Sequence, residues 1–332
     1  MAFAEAQKSY QKLILPLIIF AAFAFYPFLY SNQYILHILI LCIIWGIVAS
    51  AWNLILGYAG VVSFGQLAFF TIGAYTVGMT HKYLQITPWM GIILGGIAPS
   101  IVGLCIGIIC LRLKGIYILL ITLSLQEIVP VIIKWQTKYT GGAVGFSEMP
   151  SFSVAGYDFG MNAVAYYYTA LIIGSIFATI IYRIIKSRIG LAFVALRDSE
   201  DFAKSLGVNE YKYKVLVFII SAFITGSMGG FYGLYIGFAT PTLCGWEYVV
   251  ILLVGIFLGG EGKFPGGIIG TFFIIAINEL LQGTTELREA AVGATIIAVV
   301  FLLPGGLVGF FPRIKNKLHL KHFQGEMITG NK

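Results

Sequence analysis

Charge is scarce in this sequence. Only 11% of its 332 residues are Asp, Glu, Lys or Arg, against roughly 25% in soluble domains. So thin a polar complement excludes an ordinary water-facing surface. Cysteine is sparse and unpatterned. Cys42, Cys105, Cys110 and Cys244 form no CxxC pair and stand at no Cys/His ligand spacing. They read as small hydrophobes, which excludes a disulfide scaffold and a structural zinc site. Histidine is limited to His37, His81, His319 and His322, the last two on a basic tail. That pair reads as a solvated or headgroup-facing end, and no metal site is expected. The HExxH and GxSxG motifs are missing. The nearest approach to a Walker A loop is GGEGKF at 259–264. It fails because Phe257 stands where the first Gly belongs and Phe264 where Ser or Thr belongs. Binding of ATP through a P-loop on this chain is excluded, and an enzymatic role is disfavoured.

What remains is apolar. Hydrophobic residues make up 59% of the chain, and 40 residues are glycine. Glycine is costly in a soluble helix, but in lipid it lets helices approach closely. A span needs about 20 apolar residues. Candidate spans fall at 13–30, 35–56, 66–80, 90–111, 115–135, 163–185, 215–238, 247–260, 267–283 and 290–311. The expectation is an all-α polytopic bundle of about ten spans. The third and eighth are short and flanked by Gly57, Gly60 and Gly65, and by Gly259, Gly260 and Gly262. Such interruptions predict broken or re-entrant helices. The first run lacks a small-residue cleavage site and is long for a leader, so it is expected to be retained.

The net charge of +7 follows membrane orientation rather than nucleic-acid binding. With both ends in the cytoplasm, only Lys82, Lys134, Lys138 and Arg288 fall outside, leaving 17 of the 21 basic residues inside. Two hydrophilic stretches stand out, 136–162 outside and the charged 186–214 inside. No second folded domain has room, so 1–332 is expected to be one transmembrane domain with a basic cytoplasmic tail at 313–332. Small-xxx-small pairs such as Gly91/Gly95 and Gly226/Gly230 predict helices packed at backbone distance within one subunit.

Polar groups within the spans are the functional candidates. Asn53, Gly57, Gly60, Ser63, Gln66 and Thr71 are candidates for a translocation path. For each side chain, packing against a neighbouring helix is the competing role. Glu127 lies 12 residues past Gly115, roughly 18 Å along a helix, where a charge is expensive. It either faces a substrate ammonium or pairs with Lys134. Asn278 and Glu279 pose a similar choice near the outer end of the ninth span.

Three stretches carry a family resemblance. They are WNLILGYAGVVSFGQLAFFTIGAYT at 52–76; RLKGIYILLITLSLQEIV at 112–129 with TGGAVG at 140–145; and SRIGLAFVALRDSEDFAKSLGVNEYKYKVLVFIISAFITGSMGGFYG at 187–233. Together they resemble permease subunits of branched-chain amino-acid ATP-binding-cassette importers, of the LivM type. The resemblance implies a cytoplasmic coupling loop at 187–214 that docks on an ATPase. The family pattern is Glu-Ala-Ala, three residues, then Gly. Here it is met by Asp201, Phe202, Ala203 and Gly207, with Asp for Glu and Phe for the first Ala. Arg197, Asp198, Glu200, Asp201, Ala203 and Gly207 are the coupling candidates. Asp198, Glu200 and Asp201 are expected in the first turn of one helix, where negative charge suits the dipole. Gly207 is expected to end it in a left-handed cap. Lys204, Lys212 and Lys214 are placed where they can meet acidic groups on a partner or on lipid. The resemblance further implies a second permease of LivH type, two cytoplasmic ATPases of LivG and LivF type, and an extracytoplasmic binding protein. ATP and Mg would sit on the ATPases, with no cofactor on this chain. The implied setting is a bacterial inner membrane. Alternatives kept open are an ion-gradient-driven secondary transporter and a urea or amide permease of the same family.

Overall fold

The computed structural model describes residues 25–27, 32–110, 113, 115–147, 149–154, 157–160, 162–280, 293–294 and 306–308. The expected first and tenth spans lie largely outside the described residues, as does the basic tail.

The chain runs through ten helices that matter here. They are α1 (Gln33–Asn53), α2 (Gln66–Leu84), α3 (Pro88–Cys110), α4 (Ile116–Trp135), α5 (Ala163–Lys186), α6 (Arg188–Asp198), α7 (Glu200–Ser205), α8 (Glu210–Ile236), α9 (Trp246–Gly259) and α10 (Gly266–Leu280). Five of them, α1, α3, α4, α5 and α8, are long and apolar enough to cross a membrane. The chain is thus an all-α, multi-pass membrane protein. A hairpin pairing Ser153–Val154 with Tyr157–Asp158 is confined to the loop before α5.

Local chemistry sets the ends. Asn32, Asn162, Ser187, Ser199 and Asn209 each accept a backbone N–H at a helix start, satisfying donors that a helix leaves free. α8 closes on Gly237 in the left-handed conformation. α1 does not end cleanly. It passes into a π-helical turn over Leu54–Tyr58, where Ala59 N–H bonds to Leu54 O at 3.0 Å.

The third span is longer than its hydropathy predicts. α2 has 19 residues and runs on through Thr80, His81 and Lys82. Thr76 and Thr80 fold their hydroxyls back on the preceding turn, so the helix outlasts its apolar stretch. The break lies before it, in the non-helical residues 59–65. The eighth span is short as expected, with 14 residues in α9.

α8 is the centre of the bundle, packed against α3, α2 and α1. Glycine makes this possible. A Cβ on Gly226 would strike Pro99 and the Gly95 carbonyl, and one on Gly229 would strike the Phe70 carbonyl. α9 and α10 close on each other similarly, through Gly259 against Gly266 and Gly255 against Gly270. These glycine pairs serve packing within the subunit.

The two ends of the bundle are chemically distinct groups of loops. At one end Gly57, α6 and the turn at 260–263 meet. At the other, Phe146 bridges to Ala239, Lys82 lies 5.6 Å from the Phe146 ring, and Tyr34 bonds to Glu279 O. These are the groupings that the charge alternation puts on opposite sides.

Candidate functional site

The segment 187–214 is not one helix. Ser199 breaks it with extended backbone (φ −160°, ψ 104°) and caps α7. Asp198 therefore ends α6 rather than starting α7, and its carboxylate takes Arg197 Nη2 at 2.8 Å. Only Glu200 and Asp201 stand in the first turn of α7. Gly207 closes it with φ +82°, its N–H bonding Lys204 O while Val208 N–H bonds Ala203 O. Ala203 is fully buried beneath, while Phe202 and Leu206 stand 65% and 67% exposed. Apolar side chains this open on a charged loop suit a docking surface.

Lys204 and Lys214 do not wait for a partner. Each bridges Glu200 and Glu210, with Nζ to carboxylate distances of 2.8–3.5 Å. The acidic groups looked for on a partner or on lipid are, for Lys204 and Lys214, supplied by the chain itself. Glu210 is buried, so its charge demands local compensation. The setting of Glu200 beside Glu210, with the Lys214 and Lys204 ammonium groups on both carboxylates, holds the Glu200 carboxyl down at about 2. This network rivets α7 to the start of α8.

Several residues expected along the path are engaged in packing. Asn53 accepts from Gly262 N–H at 3.0 Å and donates to Lys263 O at 3.5 Å. Gly57 and Gly60 lie against Gly262 and Arg197. Gln66 is fully buried, bonding Ser221 at 2.9 Å and Thr225 on α8. Thr71 accepts from Cys244 Sγ at 3.1 Å. Ser63 gives its carbonyl to Trp52 Nε1 at 2.7 Å, while its hydroxyl has no partner among the described residues.

Glu127 differs. It is exposed on α4, and its carboxylate accepts from Trp246 Nε1 at 2.9 Å. No ion pair joins it to Lys134 among the described residues. The Phe64 ring lies 6.2 Å from that of Trp246. Beside the carboxylate runs a shallow open groove of about 400 Å³ along Leu120, Leu123, Ser124, Ile128 and Val131.

Glu127 lies 11 residues past Ile116, about 17 Å along α4. Two chain breaks converge at this depth. The non-helical 59–65 leads into α2, and Phe64 N–H donates to Thr122 Oγ1 at 3.1 Å. The stretch 237–245 descends from the Phe146 bridge and delivers Trp246 at the start of α9. Gln126 joins the first turn of α2 to the second break, accepting from Ala68 N–H at 3.2 Å and donating to Cys244 O at 2.6 Å. Sequence reasoning missed Gln126, Thr122 and Trp246. A Gln-Glu pair in an apolar span and a Trp beside Gly245 were the available signals.

Residues 34–303 match the family described as branched-chain amino acid transport system / permease component. The chain is 27% identical to the high-affinity branched-chain amino acid transport system permease protein LivM of Escherichia coli K12, covering 94% of this chain and 77% of that protein. It is 25% identical to the LivH permease protein of the same system in that organism, covering 85% and 96%. The probable LivM permease of Methanocaldococcus jannaschii is 24% identical, covering 71% and 78%. No solved structure matches the chain.

Proposed function

Since this chain belongs to the family of branched-chain amino-acid transport permease components, we propose that it is the membrane-spanning permease subunit of an ATP-driven importer of branched-chain or similar hydrophobic amino acids. It resides in an inner membrane with both ends in the cytoplasm. A second permease, two ATPases carrying ATP and Mg, and an extracytoplasmic binding protein complete the transporter. The names of its relatives support a multi-component transport system and a branched-chain cargo.

The observation that carries the reading is Glu127. A carboxylate in the middle of a span is not left facing lipid. Its open face must meet a partner helix or water, and the convergence of two broken segments beside it supports a solute path there. Backbone out of regular structure at that depth is tolerated where protein covers it or a cavity runs. The carboxylate supplies a partner for a substrate ammonium. Phe64, Trp246 and the groove along α4 supply apolar area for a branched side chain. The exposed Phe202 and Leu206 on α7 supply the contact through which an ATPase moves the cytoplasmic helices.

The test is uptake of labelled leucine into proteoliposomes holding all four kinds of component. ATP-dependent accumulation is expected only with the binding protein present. Uptake that ignores ATP and collapses with the proton gradient would instead make this a secondary transporter. Gly207→Pro is expected to abolish uptake with the protein still inserted, because Pro cannot adopt φ +82°. Normal uptake by that variant would reject the coupling assignment.

A further inference from the structure

Arg197 and Gly57 are 140 residues apart and belong to different candidate sets, yet Arg197 Nη1 donates to Gly57 O at 2.8 Å. The carbonyl is available for a physical reason. The π-helical turn shifts the backbone ladder, with Val61 N–H bonding Ile55 O at 3.0 Å, and a π-turn commonly marks a functional position. The rest of the guanidinium is held as well. Nε and Nη2 fork onto Asp198 Oδ1 at 3.0 and 2.8 Å, which fixes the plane of the group.

The joint has no slack. Gly60, at φ +67°, abuts the arginine stem, where an added Cβ would lie 2.5 Å from Arg197 Cγ. A Cβ on Gly262 would lie 3.0 Å from Arg197 Nη1 and 2.9 Å from Gly57 O. Asn53 ties the same turn to α1 through Gly262 N–H. One side chain thus grips the end of α1, the broken segment that follows, and the turn joining α9 to α10. From Gly57 the chain reaches Phe64, which bonds to Thr122 on α4 and lies beside Trp246, the residue that holds Glu127.

We infer that Arg197 is the positioning residue through which movement of the cytoplasmic helices reaches the broken segment 59–65 and, beyond it, Glu127. The inference rests on the importer reading above and names its transmission. A displaced α6 pulls on a backbone carbonyl outside the regular ladder, so the π-turn yields before the packed bundle does.

The experiment uses the complete reconstituted complex, with Arg197→Met and Arg197→Lys beside the unaltered chain. Leucine uptake, ATP hydrolysis and hydrogen exchange of 57–65 are measured with and without trapped ATP. Arg197→Met is expected to lower uptake per ATP by at least ~10-fold, the weight of one lost charged hydrogen bond. Hydrolysis is expected to persist, and the ATP-linked change in exchange to stop at α6. Arg197→Lys, which keeps the charge but not the planar fork, is expected to recover part of the coupling. Should Arg197→Met fail to assemble, Arg197→Lys decides by the same exchange readout. Unchanged uptake per ATP, or an unchanged response of 57–65 in the variants, overturns the inference while the importer reading stands. An unaltered complex without ATP-driven uptake overturns both.

Discussion

Gln66 and Glu127 are both polar side chains set deep among apolar helices, and they teach opposite lessons. Gln66 is wholly enclosed, and its amide is spent on Ser221 and Thr225 of the same subunit. Glu127 stands on an open face with Trp246 as its hydrogen-bond donor. The first is a satisfied packing group that fixes how α2 meets α8. The second is a charge whose surroundings this subunit alone leaves incomplete. Polarity within a span therefore does not by itself mark a transport site. The stronger candidate is polarity that the subunit's own packing leaves open.

The contrast breaks most readily at Glu127. Glu127→Gln retains shape and removes charge, and is expected to lower uptake ~10–100-fold, the range for one charge-assisted contact. Assembly of the complex should be unchanged by size-exclusion chromatography. Full uptake would place Glu127 with Gln66 as a packing group. Gln66→Leu is the mirror test. It leaves Ser221 and Thr225 short of a partner and is expected to cost about 1–2 kcal/mol of stability, read as a lower thermal midpoint in detergent. The substrate concentration giving half-maximal uptake should not move. A large shift there would bring Gln66 into the path.

Trp246→Phe keeps the ring but deletes the donor to Glu127, and a few-fold loss of uptake is expected. No loss would mean that the carboxylate is oriented by something other than Trp246. The smallest effect concerns a carboxylate that is neither enclosed nor open. Glu200 is held at about 2 against an ordinary 4.5. Its contribution is therefore whole above about 4.5 and is lost as pH falls toward about 2. Proteolysis of the loop 187–214 should rise only within that window. Loosening that begins near neutral pH would deny the Glu200 network its role.

Much of this arrangement is legible in the sequence, because hydropathy and glycine placement report on each helix separately. α3, α4 and α5 lie within two residues of the apolar runs that predict them. Gly207 caps its helix as its position implies. Less legible is whatever depends on a meeting of distant segments. Asn53, Gly57 and Gly60 are polar or small within an apolar stretch, and that pattern suits a path and a joint equally. Only the approach of Arg197 and Gly262 separates the two. The end of α2 escapes hydropathy because Thr80, His81 and Lys82 lower the average while threonine hydroxyls keep the turns closed. Gln126 escapes because its neighbour carries the charge that draws attention.

The late start of α9 bears on electrical insulation. With 14 residues it rises about 21 Å, short of a hydrocarbon layer of about 30 Å. The remaining depth is crossed by loop chain and a single 3-10 turn over Pro241–Cys244, in which Thr242 is exposed. Wherever water follows that chain inward, the membrane voltage falls across a thinner barrier. Resistance to ion leak between transport cycles is then concentrated at the level of Phe64 and Trp246.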